Sequence, residues 1–347
     1  MVGRVLTACL YGLGVLLFYI GASALVRWLG RHNPKIVLYH DCAEQESEYL
    51  AGLDCTTSPE NFSKHIAYLA RNYSIVPLEV ILSGDVPPRA VAITFDDGYA
   101  SVYENAFPVL KKNNALATIY LISSVVNNRA RVWVNELNYL VRQGSSAANE
   151  EVWRLFGGNP DNGPAEIIST CRLNYNPAKM QTLLAKLRQL ANLSPVEHAG
   201  RAKLYLTWHE IEEMSSAGIE FGNHSRTHPN MERLSDDEQL AEIEGAQREL
   251  EEHLPHVRGF AHPFGHRGAR TAYLASTLGL LSAADVGGHN YPVDALSLGR
   301  THIANESVAG LFARLEVVEP LKAILRKRLD QRVKNTPTGL ANGATAA

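Results

Sequence analysis

The 347-residue chain is poor in cysteine, and the four it has, Cys9, Cys42, Cys55 and Cys171, form no CxxC pair. That spacing argues against a zinc ribbon and against a thioredoxin-like redox site. A Cys42–Cys55 disulfide stays open for an oxidising compartment. No GxGxxG follows a strand, so the signature of a dinucleotide-binding open sheet is missing. Charge of neither sign dominates: the net charge is −3, and nothing global points to a nucleic-acid partner. What is plentiful is apolar residue content, 46%, enough for one large domain with a full core or for two smaller ones.

The longest apolar run is at the N-terminus. From Val5 to Val26 there are 22 residues without a charge, preceded by Arg4 and followed by Arg27 and Arg31. As a helix this run matches a bilayer core of about 30 Å. Residues 1–30 are therefore expected to form a single-pass transmembrane anchor. Ala22-Ser23-Ala24 keeps open a cleaved signal peptide. The positive-inside balance is nearly even, with the amino group and Arg4 on one side and Arg27, Arg31 and Lys35 on the other. The remainder is expected outside the cytoplasm, with the orientation open.

After this run, strands alternate with helices. Ile36–Tyr39 reads as a first strand. Ser58-Pro59-Glu60 opens a helix to about Arg71. Ala90–Phe95 and Ala117–Ile122 are continuous apolar strands, as in a parallel sheet buried on both faces. Residues 129–205 break the rhythm and read as a mostly helical insertion. Thr207-Trp208-His209-Glu210 and Ser235-Asp236-Asp237-Glu238 are capping boxes, and short strands follow at Gly218–Phe221, Val257–Ala261, Leu280–Ala284 and Leu296–Ile303. Seven or so strands with intervening helices over residues 35–310 predict an α/β fold, a (β/α) barrel, with a doubly wound sheet as the alternative. Residues 311–334 show apolar positions at helical spacing and a basic end. They form either a barrel-closing helix or an amphipathic helix on anionic lipid. Residues 335–347 read as a disordered tail.

Two strand ends carry candidate chemistry. Thr94-Phe95-Asp96-Asp97-Gly98-Tyr99 puts adjacent carboxylates where a barrel holds its active site, at a cost unless a cation is near. Phe221-Gly222-Asn223-His224-Ser225-Arg226-Thr227-His228-Pro229 puts two imidazoles four residues apart, which on a helical turn face one way. Two neutral nitrogens and one carboxylate make a three-ligand site for Zn²⁺ or a similar ion.

These two segments resemble the metal-site motifs of the polysaccharide deacetylases. Ala261-His262-Pro263-Phe264-Gly265 resembles a variant of that family's aromatic-Pro-aromatic-Gly segment, and Val37-Leu38-Tyr39-His40 its first strand. The resemblance spans about residues 35–310, apart from the insertion. It implies a distorted (β/α) barrel of about seven strands and an N-deacetylase. Asp96 would be the general base. Asp97, His224 and His228 would hold a divalent metal, Zn²⁺ foremost, with Co²⁺, Ni²⁺ or Mn²⁺ as options. The Tyr99 backbone N–H would help hold the oxyanion. The proton donor to the leaving amine falls to His302 or His289. The arginine that orients the base falls to Arg300, Arg267 or Arg270, with Arg300 preferred because it shares a strand face with His302. His40, His262 and Pro263 are candidate substrate contacts. The expected substrate is an N-acetylated sugar polymer or a lipid-linked sugar. Alternatives are a deformylase or deacetylase of an undecaprenyl-type lipid-linked sugar, and an inactive glycan-binding barrel.

Overall fold

In a computed structural model of the protein, which describes residues 2–143, 146–159, 161–193, 202–265 and 269–326, the apolar runs become the staves of a barrel. In chain order the strands are β1 (Lys35–Tyr39), β2 (Asp41–Cys42), β3 (Thr56–Thr57), β4 (Ser74–Ile75), β5 (Ala90–Phe95), β6 (Thr118–Leu121), β7 (Glu220–Asn223), β8 (Val257–Ala261), β9 (Ser282–Val286) and β10 (Leu298–His302). The main sheet runs β1-β10-β9-β8-β7-β6-β5, and β1 pairs with β5 to close it, so seven parallel strands form the barrel. β4 adds to β5, and β2 and β3 pair separately.

Every residue of β1, β5 and β6 is buried, because inner and outer faces are both covered. The period-two alternation of a strand divides them. Ile36, Ala92, Tyr120, Ala261, Ala284 and Leu298 form one apolar cluster, which fills the barrel. Their neighbours Val37, Ile93, Ile119 and Phe221 pack instead with helix residues such as Phe62, Ile66 and Leu110. Gly222 in β7 is needed for this filling: a Cβ there would come within 2.4 Å of the Tyr120 ring. Ser58, Thr207 and Ser235 cap the helices Pro59–Asn72, Trp208–Ser216 and Asp236–Glu251, the last two through complete capping boxes.

Between β6 and β7 the helices Trp133–Gln143, Ser146–Phe156, Pro164–Leu173 and Pro177–Leu190 pack around their own apolar cluster. Tyr99 and Tyr205 belong to that cluster and stack with ring centroids 5.6 Å apart, so the helical unit is tied to the segment that follows β5. After β10, the helix Val308–Ala313 and a wider turn at Arg314–Val318 bury Leu311, Leu315 and Val318 against the barrel. This stretch packs in the apolar cluster on the outer face of the strands. The basic residues Lys327, Arg328, Arg332 and Lys334, and the tail 335–347, lie outside the described residues.

One expectation is corrected, and one open alternative is decided. The straight span expected over Val5–Val26 does not form. The helix Val2–Tyr19 ends at a bend through Gly21, whose φ is +80°, and Ser23–Leu29 continues at 117° to it. Among the described residues, no single helix is long and apolar enough to cross a membrane. Nor do Cys42 and Cys55 form a disulfide; both are free, buried thiols. The parallel register of β2 and β3 sets Cys42 opposite Thr57, and burial pushes the Cys42 thiol up to about 12.

Candidate active site

The inner face of β5 delivers Asp96 to the barrel's C-terminal mouth. Thr94 Oγ1 donates to the Val37 carbonyl at 2.7 Å, and the Asp96 amide donates to the Tyr39 carbonyl at 3.0 Å, which extends the β1–β5 register by one residue. The chain then turns sharply, with φ of +71° at Asp97 and +72° at Gly98. At Gly98 that conformation suits glycine, and a Cβ would meet Leu121 Cδ2 at 2.7 Å. Asp97 carries a side chain in the same left-handed region, a conformation that Asp tolerates better than most residues. The turn aims two adjacent carboxylates at one place.

β7 supplies the imidazoles, but not from a helical turn as the four-residue spacing suggested. After Asn223 the chain forms a loop with φ of +63° at Ser225 and +59° at His228. Asn223 holds it: its side-chain amide donates to the Ile243 carbonyl at 2.9 Å, and its Oδ1 accepts from the Ser225 amide at 2.8 Å. The Ser225 hydroxyl accepts from the His228 amide at 3.0 Å. Glu242 accepts from the amides of Arg226 and Thr227.

Asp97, His224 and His228 converge. Asp97 Oδ1 is 3.4 Å from His224 Nε2 and 3.6 Å from His228 Nε2, and one ligand atom from each lies within 4.8 Å of the others. His224 Nδ1 donates to the Ala261 carbonyl at 2.8 Å. That bond assigns the proton to Nδ1 and turns the Nε2 lone pair inward. Asp97 Oδ1 and His228 Nδ1 are buried without hydrogen-bond partners. A carboxylate oxygen left this way is costly in a closed protein, and the donor set, two imidazoles and one carboxylate, suits a divalent cation. The residues present therefore fit a metal.

Asp96 stands beside this group, 3.7 Å from His224 Nε2, and is held by Arg300 of β10. The guanidinium binds both carboxylate oxygens, at 2.6 and 2.8 Å. Arg300 is fully buried, lies 5.2 Å from the centroid of the Tyr120 ring, and donates through Nε to the Asp285 carbonyl. Burial alone would raise the Asp96 pKa, but the paired Arg300 guanidinium, with a smaller contribution from His224, outweighs it and holds the carboxyl below its ordinary range. Asp97 is lowered too: burial opposes, and the His224 and His228 contacts prevail. Burial pushes His228 down to about 3, so it is a neutral imidazole, the form that ligates.

The remaining candidates separate. His302 follows Arg300 on the inner face of β10, and its ring meets His40 edge-on at 5.2 Å. Burial pushes His302 down to about 3. Tyr99 turns its ring into the helical unit, where Asn135 meets its hydroxyl. Its amide is not used in the bridge to Tyr205, which is made by Ala100 to Leu204 and by Leu206 to Gly98.

His262 shares the face of Phe260, whose ring it meets at 5.1 Å, on the side of β8 away from the filled interior. Pro263 is buried at the start of the next turn. His289 follows β9 where the chain folds back, and the adjacent Asn290 binds Asn33, Pro34 and Gly299 near the start of β1. Arg270 pairs with Asp236 on the surface, and Arg267 lies outside the described residues.

Other contacts were not legible as site residues. Phe264 covers His228 at 4.4 Å between ring centroids, and the Trp133 indole donates to the His228 carbonyl at 2.8 Å. Tyr120 lies beneath Arg300. Asn223 stood inside the histidine motif, its position directly before His224 being the only signal. Trp133 lies 95 residues from His228 and left none.

A family model described as polysaccharide deacetylase matches residues 83–283, more than half of the chain. A curated relative, the putative polysaccharide deacetylase YxkH of Bacillus subtilis, is 26% identical over 168 residues. The aligned stretch is 45% of this chain and 58% of that protein, so the chain matches a little over half the relative's length. Among solved structures, the Streptococcus pyogenes deacetylase PplD, in complex with acetate, superposes with a TM-score of 0.55 at 21% identity. The match covers 82% of this chain and 99% of that one. IcaB from Ammonifex degensii gives 0.55 at 20% identity, over 82% and 97%. At such identities these two structures speak to the fold.

Proposed function

The chain belongs to the polysaccharide deacetylase family, and from that premise we propose that it is a metal-dependent hydrolase that removes N-acetyl groups from an amino-sugar polymer or a lipid-linked glycan. One observation carries the reading: the Arg300–Asp96 pair and the Asp97/His224/His228 group meet at the mouth of one barrel. A divalent cation held by Asp97, His224 and His228, in our reading Zn²⁺, supplies Lewis acidity that lowers the pKa of water and polarises an amide carbonyl.

The chain's own groups do the rest. Asp96, kept ionised by Arg300, is placed to accept a proton from the attacking water. It takes one proton as the water oxygen bonds to the acyl carbon. The Tyr99 N–H receives the developing oxyanion. The C–N bond then breaks, acetate forms, and the amine leaves with a proton.

His302 is neutral near pH 7, because its pKa is pushed down to about 3. We therefore assign the proton on the amine to Asp96, which has just gained one. His302 and His40, side by side at the mouth, orient the leaving sugar. The test is acetate release from N-acetylated glucosamine oligosaccharides with added metal, for the parent and Asp96→Asn. Release by the parent and loss in the variant support the reading; equal rates reject it.

A further inference from the structure

The helix Val2–Tyr19 has two unlike faces. Its inner face is committed to the barrel. Gly14 is so close to the helix Val308–Ala313 that a Cβ would lie 2.5 Å from Ala313 Cβ. Phe18 meets Phe312 and Tyr68 at 5.7 and 6.0 Å, and Arg314 lies over the Tyr11 ring. Beyond the bend, Arg27 donates to the Tyr68 hydroxyl at 2.8 Å. The outer face is apolar and uncovered. Leu6, Leu13, Leu16 and Ile20, followed by Leu25 and Leu29, are each 40–66% exposed, and no charge occurs between Val5 and Val26.

A helix apolar all round is ordinarily buried in protein or in lipid, and a continuous exposed apolar surface of this kind marks an interaction site. Several observations favour lipid over a second protein. The helix is 18 residues long, or about 27 Å, and the large hydrophobic residues it exposes are mainly leucines. At the far end of the patch, Trp28 is 56% exposed and Arg31 lies over its ring at 4.4 Å. An aromatic and a cation together fit the headgroup level of a membrane. Tyr19, 73% exposed at the bend, is a second such group.

The inner contacts also decide the geometry. A helix crossing the bilayer in this docked state would carry the adjoining barrel wall with it. That wall holds the Arg314–Glu306 pair and Glu316, which is bonded by Tyr73 and paired with Lys35 at 3.3 Å. Placing these groups in hydrocarbon is costly.

We propose that the bent helix pair Val2–Tyr19 and Ser23–Leu29 is a monotopic anchor. It lies in the plane of one leaflet, outer face in the acyl region, and holds the barrel against the membrane surface without crossing it. The proposal does not depend on the deacetylase reading.

The test uses the full chain on phosphatidylcholine vesicles with and without phosphatidylglycerol. Nitroxide labels are placed at Leu6→Cys or Leu16→Cys in a Cys9→Ser background, the other cysteines being buried. An in-plane helix puts both labels at similar, shallow depths. A spanning helix separates them by about 15 Å along the bilayer normal, and that result overturns the proposal. The double variant Leu16→Lys, Ile20→Lys should lower the vesicle-bound fraction roughly tenfold or more, with unchanged circular dichroism. Unchanged binding in that variant, or a parent that ignores vesicles and forms dimers through this face, also overturns it. Acetate release from a soluble oligosaccharide should be the same in parent and double variant, which keeps the anchor separate from the chemistry.

Discussion

Replacing Arg300 with methionine removes the cation from both oxygens of Asp96 while keeping an apolar side chain above Tyr120. Both partners are almost inaccessible, at 0% and 4% side-chain exposure, so solvent cannot substitute for the lost contact. Breaking one side of a buried pair typically costs about 3–5 kcal/mol, because the remaining charge is left uncompensated. Asp96 can avoid that cost by taking a proton, since burial raises its pKa and Arg300 is the leading opposing influence. Either outcome is visible. The midpoint of urea unfolding should fall, and the acidic limb of the kcat/KM profile should move to higher pH, because the base is ionised only in more alkaline solution. Arg300→Lys keeps the charge but loses the bidentate fork, so it should lie between the parent and Arg300→Met on both measures. The assay is acetate release across pH, alongside urea melts at neutral pH. An Arg300→Met protein with the parent's acidic limb and stability would refute the reasoning that this ion pair sets the state of the base.

Three other changes follow from the same structure. Gly222→Ala places a Cβ 2.4 Å from the Tyr120 ring; overpacking of this kind costs about 1–3 kcal/mol, which a lowered melting temperature should show, together with reduced activity as Tyr120 shifts beneath Arg300. Trp133→Phe removes the donor to the His228 carbonyl and should lower metal affinity or activity about 10- to 100-fold, the usual cost of losing a contact that supports a ligand; a metal titration of both proteins measures it. His65 is buried between the Tyr39 hydroxyl and the Glu306 carbonyl, and burial pushes its pKa down to about 4 from 6.5. The unfolded chain therefore binds the proton more readily, so this residue's contribution is intact above pH 6.5 and is lost as pH falls towards 4. The loss is about 3 kcal/mol, and urea melts at pH 7 and pH 4.5 should show a smaller decline in His65→Gln than in the parent.

The parts of the fold most legible in the sequence were those governed by local rules. Ala90–Phe95 could be read as a doubly buried strand because all six residues are apolar or small. The boxes at Thr207 and Ser235 announced their helices through side chains three residues apart. Asp96, Asp97, His224 and His228 could be grouped because each pair follows an apolar strand. What failed, or left no signal, was set by contacts distant in sequence. The N-terminal run has the composition of a bilayer span, yet Gly21 lets it bend and Gly14 lets it dock on Ala313. The His224–His228 spacing fits a helical turn, but Asn223 and Ser225 capture the backbone first. His262 and His289 were candidate site histidines; strand alternation sets His262 beside Phe260, and the chain folds back after β9 at His289. Arg300 was preferred over Arg270 by the period-two rule, and the barrel's closure brings it to a carboxylate 204 residues away.

The most direct test of the central claim is the metal content of the purified protein and of two variants, measured by mass spectrometry after dialysis against trace zinc. Asp97 is assigned to the cation and Asp96 to the proton, although the two are adjacent. One divalent ion per chain is therefore expected in the parent and in Asp96→Asn, which should nevertheless release no acetate, and no stoichiometric ion in Asp97→Ala. Full metal retention in Asp97→Ala, or its loss in Asp96→Asn with Asp97 intact, would contradict this division of roles.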